Sequence, residues 1–424
     1  MIKKTIILTA FLLVLSACSK SDDKLEEDST EQEQNPEEEQ SPEEEQSPEE
    51  PSECINKQIS YAVTNTINNL AITEMIKTSD GGYIGLELSE DYSIHKFDVN
   101  FQPQWVKTYG GSDFDSSKSI IQTKDSGFLI VGQSKSKDGD VLGNFGGYDI
   151  WIVKLDEAGN LEWSKNYGGN KSDGISLSKS VVENDNGNFT IVGHSESDFE
   201  ESRNKGGNDA LLLEITSIGE LVFIKTFGGS ENDFGRKLVQ ENDTYNILIH
   251  TRSTNGDFNK VGNWIVQIGK TGVTNWKTFV GGINSGSLAI NFDNQIISVN
   301  TNFYDHIYHI LDLNGNILAT KTTNEFGLDK QYIVNEVLID HNNNIKIIGD
   351  LGLANDMDAY ILNLCPSLEN INTMIYSGND FDNARSIIPS DNNSYLININ
   401  TRSSNIENVN HEDLTSSFMV KMTD

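Results

Sequence analysis

Residues 149–155, Asp149-Ile150-Trp151-Ile152-Val153-Lys154-Leu155, open on an acid, run apolar through the middle and place a lysine before the last position. Similar runs begin at Asp91, Asp209, Gly262, Asp305, Asp358 and Ser416. From Asp91 onward the starts lie 58, 60, 53, 43, 53 and 58 residues apart. A unit that recurs every few tens of residues cannot bury its apolar face alone, so it stacks on its neighbours. Seven anchors predict seven units.

Within a unit the order of elements is constant. Residues 118–123 read as a first strand, stopped by the turn Asp125-Ser126-Gly127, and residues 128–134 as a second. A polar loop, 135–148, leads to the third strand at Ile150. The hairpin turn Asp156-Glu157-Ala158-Gly159-Asn160 then leads to a fourth over 161–167. Asp312-Leu313-Asn314-Gly315-Asn316 repeats that turn. Runs such as Phe128-Leu129-Ile130-Val131 do not alternate in polarity, which predicts strands covered on both faces. Four-stranded antiparallel units packed face to face around an axis satisfy this, and the expected fold is all-β, a seven-bladed β-propeller. Only eight residues follow Ser416, enough for a third strand but not a fourth. Residues 57–63 match fourth-strand segments such as 105–109 and are expected to close the last blade from the N-terminal end.

Several residues repeat in register and read as blade architecture. The pairs Gly110-Gly111, Gly168-Gly169, Gly228-Gly229 and Gly281-Gly282 fall where one blade crosses to the next, where glycine allows positive φ and close backbone approach. Asp115, Asp233 and Asp382 each follow the last junction glycine by four residues and are expected to cap backbone amides. Trp105, Trp163 and Trp276 share one outer-strand position, and Trp151 and Trp264 one third-strand position.

The stretch Gly146-Gly147-Tyr148-Asp149-Ile150-Trp151-Ile152-Val153-Lys154-Leu155-Asp156, then Gly159-Asn160-Leu161-Glu162-Trp163 and Tyr167-Gly168-Gly169, resembles the β-propeller repeat of secreted and lipoprotein chains of Bacteroidota. The likeness is strongest in blades two and three; blades five to seven lose the double glycine, keeping only Gly378. The resemblance implies a propeller and no particular activity. Many secreted relatives carry a C-terminal sorting domain, and none is read before Asp424, in keeping with a lipid route.

Charge divides the 424 residues into three segments. The chain holds 31 Lys and Arg against 64 Asp and Glu, a net charge of −33. Residues 1–18 carry Lys3 and Lys4, an apolar core from Thr5 to Leu15 too short to span a bilayer, and Leu15-Ser16-Ala17-Cys18. This resembles a lipoprotein signal peptide whose Cys18 is lipidated. Ser19 in place of Asp favours an outer-membrane destination. Residues 19–53 hold 16 acids against Lys20 and Lys24, with Pro36-Glu37-Glu38-Glu39-Gln40-Ser41 recurring at 42–47. They are expected to form a disordered acidic tether, and Ser19-Lys20-Ser21-Asp22-Asp23 resembles the surface-export signal of Bacteroidota lipoproteins. Residues 54–424 form the propeller domain at −21, which argues against nucleic acid.

Signs of chemistry are sparse. No nucleophile elbow, phosphate loop or His-Glu-x-x-His is present, and with 7 His and 3 Cys no clustered zinc site is expected. His306 and His309, three apart on a strand, face opposite sides, and His95 and His309 fall at the packing register of Val153. No cofactor is expected, with Asp138 and Asp140 the one weak candidate pair for Ca²⁺. The loops 135–148, 195–208 and 252–262 share one rim and gather Lys135, Lys137, Arg203, Lys205 and Lys260, a candidate ligand rim for a glycan or a protein. Cys54 and Cys365 map to one face but to the rims of different blades, which weighs against the roughly 5.5 Å Cα spacing of a disulfide; export permits a bridge, so two thiols are the expectation and a disulfide the alternative. The inner strands show no acid pair standing out from the repeat. The expected function is a monomeric, surface-anchored binding or scaffold module; the alternative is a polysaccharide-degrading glycosidase or lyase.

Overall fold

A computed structural model describes residue 54 and residues 58–200, 202–283, 285–302, 305–326, 332–353, 356–390, 393–403 and 416–424. The signal peptide with Cys18, the tether and Lys57 lie outside the described residues.

Seven antiparallel sheets follow the seven anchors. Blade two shows the pattern: an inner strand Asp115–Gln122, then Phe128–Ser134, Asp149–Leu155 and an outer strand Leu161–Tyr167, paired in chain order. The other blades span residues 72–109, 173–227, 233–281, 286–322, 332–376 and 382–423. Strand Ser60–Asn68 pairs with Ser416–Thr423, Ser60 opposite Thr423, and completes the sheet of blade seven. That strand begins three residues later than the predicted 57 and extends five residues past 63.

Burial explains the unalternating apolar runs. All seven residues of Asp149–Leu155 and of Asp209–Ile215 are buried, whereas the outer strand Leu161–Tyr167 is not. The core is a ring of clusters between blades; Ile84, Tyr92 and Ile94 of blade one meet Ile130, Trp151 and Val153 of blade two. The buried Trp151 ring packs on Tyr92 at 4.4 Å between centroids, and the Tyr92 hydroxyl donates to the Trp151 carbonyl at 2.8 Å. Trp264, at the same register, is less buried; it packs on Phe258 and Phe279 and donates from Nε1 to the Lys260 carbonyl. The outer-strand tryptophans lie under the hairpin turn of the next blade. A Cβ on Gly159 would come 2.8 Å from the Trp105 ring.

The junction glycines serve close approach. Gly168 does not take positive φ, but a Cβ there would stand 2.4 Å from Asp149 Oδ1 and 2.8 Å from Asp173 Oδ2. Of the four predicted pairs, only Gly281-Gly282 adopts positive φ. Asp115 accepts the Gly111 amide (2.8 Å) and hydroxyls of Ser134 and Ser136; Asp233 accepts the Gly229 amide (2.8 Å) and hydroxyls of Thr251 and Ser253. Asp382 binds the hydroxyls of Thr401 and Ser403. Asp173 makes the same set with Gly169, Ser195 and Ser197. It too follows its glycine pair by four residues, so its spacing already marked it.

Cys54 and Cys365 form a disulfide, with Cα atoms 5.9 Å apart, contrary to the expectation of two thiols. The rim positions converge because the outer strand of blade seven lies over blade six. The Tyr61 hydroxyl donates to Asn372 and accepts from Asn363, both in blade six. The chain entering that strand therefore starts beside the third-strand end of blade six, where Cys365 is buried.

Candidate functional site

In five blades the inner strand carries a one-residue bulge, at Thr73, Lys118, Arg236, Asn335 and Arg385. A bulge re-aims side chains and loosens pairing locally. The residues after these bulges are Glu74, Ser119, Lys237, Glu336 and Ser386, and two of them build a charge cluster inside the ring of blades. Glu74 Oε2 accepts the amide of Ile120 at 2.9 Å, and Glu336 Oε2 the amide of Ile387 at 3.3 Å, each on the inner strand of the following blade. Between them stands Lys179 of blade three. Its Nζ lies 3.9 Å from Glu74 Oε1 and 3.5 Å from Glu336 Oε1. Lys237 Nζ donates to the carbonyl and hydroxyl of Ser178 at 3.0 and 3.2 Å.

This acid pair corrects the sequence reading, which found none on the inner strands. Glu74 and Glu336 belong to blades one and six, and their partner lysine to blade three. Nothing local in the chain announces that the three meet. Burial raises the Glu74 carboxyl, opposed by Lys179 and reinforced by Glu336. Burial works against the Lys179 ammonium, but Glu336 and Glu74 outweigh it and raise that group. Burial lowers Lys237 to about 8.

Above the cluster, at the end where the inner strands start, a funnel of about 240 Å³ opens between blades. The second-to-third-strand loops lie at this same end, since Asp115 faces Ser134 and loop 135–148 follows directly. Lys118, Lys237 and Arg385 line the funnel together with serines, the carboxylate Glu87 and the apolar Leu88, Leu177, Ile333 and Val334; among the described residues no aromatic side chain does. Burial lowers Lys118. At the opposite end a wider opening of about 770 Å³ is lined by apolar residues such as Leu238, Leu288 and Val337 and by Lys179, Lys237 and Glu336 of the cluster.

Three of the five predicted rim cations are taken up by separate partners. Lys135 lies over the Tyr148 ring at 5.2 Å, and Lys260 over Phe279 at 4.0 Å. Lys205 pairs with Asp257 at 2.6 Å in a groove between blades three and four, while Lys137 and Arg203 are exposed. Asp138 and Asp140 turn to the backbone. Asp138 Oδ1 accepts the Ser112 amide at 2.7 Å and Asp140 Oδ2 the Gly110 amide at 3.3 Å. Among the described residues no group of three or more His, Cys, Asp or Glu is arranged to hold a metal. His309 bonds Thr320 and the Val280 carbonyl within the blades.

No protein-family model and no curated protein matches the sequence. Solved structures do. The chain is similar to BBS1N in its complex with ARL6DN, with a TM-score of 0.51 and 9% identity over 86% of this chain and 97% of that one. It is also similar to a DUF4221-family member from Bacteroides vulgatus (TM-score 0.44, 10% identity, 86% of this chain and 99% of that one). A third is BamB from Moraxella catarrhalis (0.41, 10%, 85% and 99%). At such identities the likeness shows the β-propeller fold alone, and the site has to be read from this chain's own side chains.

Proposed function

We propose that this protein is a non-enzymatic binding module, carried at the cell surface on an outer-membrane lipid anchor at Cys18, that takes a glycan in the funnel. The observation that carries the reading is the contrast between two sets of groups. The funnel offers hydroxyls and cations to a ligand, whereas Glu74 and Glu336 are committed to backbone amides and to Lys179. Glycoside hydrolysis needs two carboxyls free to flank a scissile bond; an ammonium within 4 Å of both already occupies that space.

The same glutamates would carry the alternative, a polysaccharide-degrading activity, so one experiment separates the two. The protein is incubated with a panel of oligosaccharides, measuring retention on immobilised glycan and release of new reducing ends. Retention without release is expected. Release that disappears in Glu74→Gln would refute the binding-module reading. For the anchor, labelled palmitate should enter the wild type and not Cys18→Ala, and surface proteolysis of intact cells should remove the propeller.

A further inference from the structure

We infer that the funnel is a site for a carboxylated sugar, its carboxylate set between Lys118 and Arg385 and its hydroxyls against the neighbouring serines. This rests on the binding-module reading and adds the chemistry of the ligand.

The cations of the funnel differ in what they are free to do. Lys237 is engaged by Ser178. Lys118 is partly buried and has no ion pair or hydrogen bond among the described residues. Arg385 spends one terminal nitrogen on Asn383 at 2.9 Å and its charge eases the buried Asp350 carboxyl nearby, while its Nε is buried with no hydrogen-bond partner. A buried guanidinium N–H without a hydrogen bond and a partly desolvated ammonium without an ion pair are costly, and a bound anion would satisfy both. The carboxylate in the lining, Glu87, turns its Oε2 to Ser93 (2.6 Å) and His95 (2.8 Å). Burial of Lys118 lowers its proton affinity, and a bound anion would restore it.

Size and lining then narrow the anion. A cavity of about 240 Å³ falls below the roughly 300–1,000 Å³ of sites for drug-sized ligands; it admits one ring, not a folded peptide element. Among the described residues no aromatic platform lines the funnel for stacking a neutral sugar, so charge must supply much of the affinity. Ser89, Ser116 and Ser117 share the lining with Lys118, donors and acceptors matched to ring hydroxyls. The negative body does not defeat this, because exposed charges are screened beyond about 8 Å at physiological salt.

Calorimetric titration of the full chain, with Cys18→Ser for solubility, tests it. The probes are trimers of galacturonate, glucuronate and mannuronate, neutral trimers of the same linkages, and inorganic phosphate. At least one uronate should bind tenfold or more tighter than its neutral counterpart and than phosphate. Lys118→Ala and Arg385→Ala should each weaken it at least tenfold. Lys118→Arg should stay within about threefold, and Lys135→Ala, on the same face, should change nothing. Thermal midpoints matching the wild type show that the variants fold. The inference is overturned if no uronate exceeds its neutral counterpart, if Lys118→Ala binds normally, or if phosphate binds as tightly as the best uronate. A neutral trimer lost in Lys118→Ala would sink the carboxylate while leaving the binding module standing. Release of reducing ends would sink the module itself.

Discussion

Removing the Cys54–Cys365 bond should loosen the propeller at one place before any other. The bond joins residues 311 apart in sequence, and a cross-link that closes a loop of this length removes unfolded-chain entropy worth about 6 kcal/mol in the chain-entropy model. Native bonds commonly deliver less than that ceiling, so the expected loss in Cys54→Ser/Cys365→Ser is about 2–4 kcal/mol. The damage should be local first. The strand Ser60–Asn68 pairs with one neighbour only, Ser416–Thr423, and sits at the outer edge of its sheet. Besides the disulfide, Tyr61 ties it to blade six through Asn372 and Asn363. Urea unfolding of the soluble chain gives the stability difference, and amide exchange of residues 60–68 against 128–134 reports where opening begins. Exchange should accelerate in the N-terminal strand of the double variant at denaturant concentrations that leave 128–134 protected. Two free thiols in the unreduced, unfolded protein would refute the reasoning outright. So would a stability change below about 0.5 kcal/mol with unaltered exchange.

Further substitutions probe the interior and one turn. Lys179→Met takes from the buried Glu74 and Glu336 their nearest cation, a side chain itself 40% exposed and backed by Lys237, and should cost about 1–3 kcal/mol in urea unfolding; adding Glu74→Gln and Glu336→Gln should recover part of it. Gly168→Ala drives a methyl into the carboxylates of Asp149 and Asp173 and should cost about 1–3 kcal/mol, whereas Gly187→Ala, where a Cβ meets nothing within 4 Å but φ is +82°, should destabilise through backbone strain alone. Asp149 is buried, its Oδ1 has no partner, and burial together with Asp173 raises its carboxyl from 3.8 to about 6. The folded state thus holds the proton more tightly than the unfolded chain, and the stability this group contributes is fully present below pH 3.8 and lost as pH rises through 6. Asp149→Asn removes that dependence, so its stability relative to wild type should improve by about 2 kcal/mol between pH 4 and pH 7.5. A difference that stays constant with pH would contradict the assignment.

What was legible beforehand follows from how local each signal is. Blade number, strand order and the repeated tryptophans repeat within each unit, so a run such as 149–155 exposes them. The glycine pairs were also visible, but their reason was not. Positive φ and close approach look alike in sequence, and only the positions of Asp149 and Asp173 decide between them at Gly168. The rim lysines were visible as a cluster in sequence, yet Tyr148, Phe279 and Asp257 each claim one of them. Loop proximity is not side-chain convergence.

A seven-unit, all-β repeat is written locally into the chain, because strand, turn and burial pattern recur over distances of a few residues. The chemistry is not, and arises with the closing of the ring. Glu74 and Lys179 are 105 residues apart, and the two cysteines 311; curling seven sheets around one axis brings Glu74 and Glu336 of the inner strands of blades one and six to Lys179, which lies in the break between the short strands Asp173–Gly174 and Val181–Glu183 of blade three. Over such separations neither pattern nor spacing says which side chains will meet, since that depends on where the ring closes.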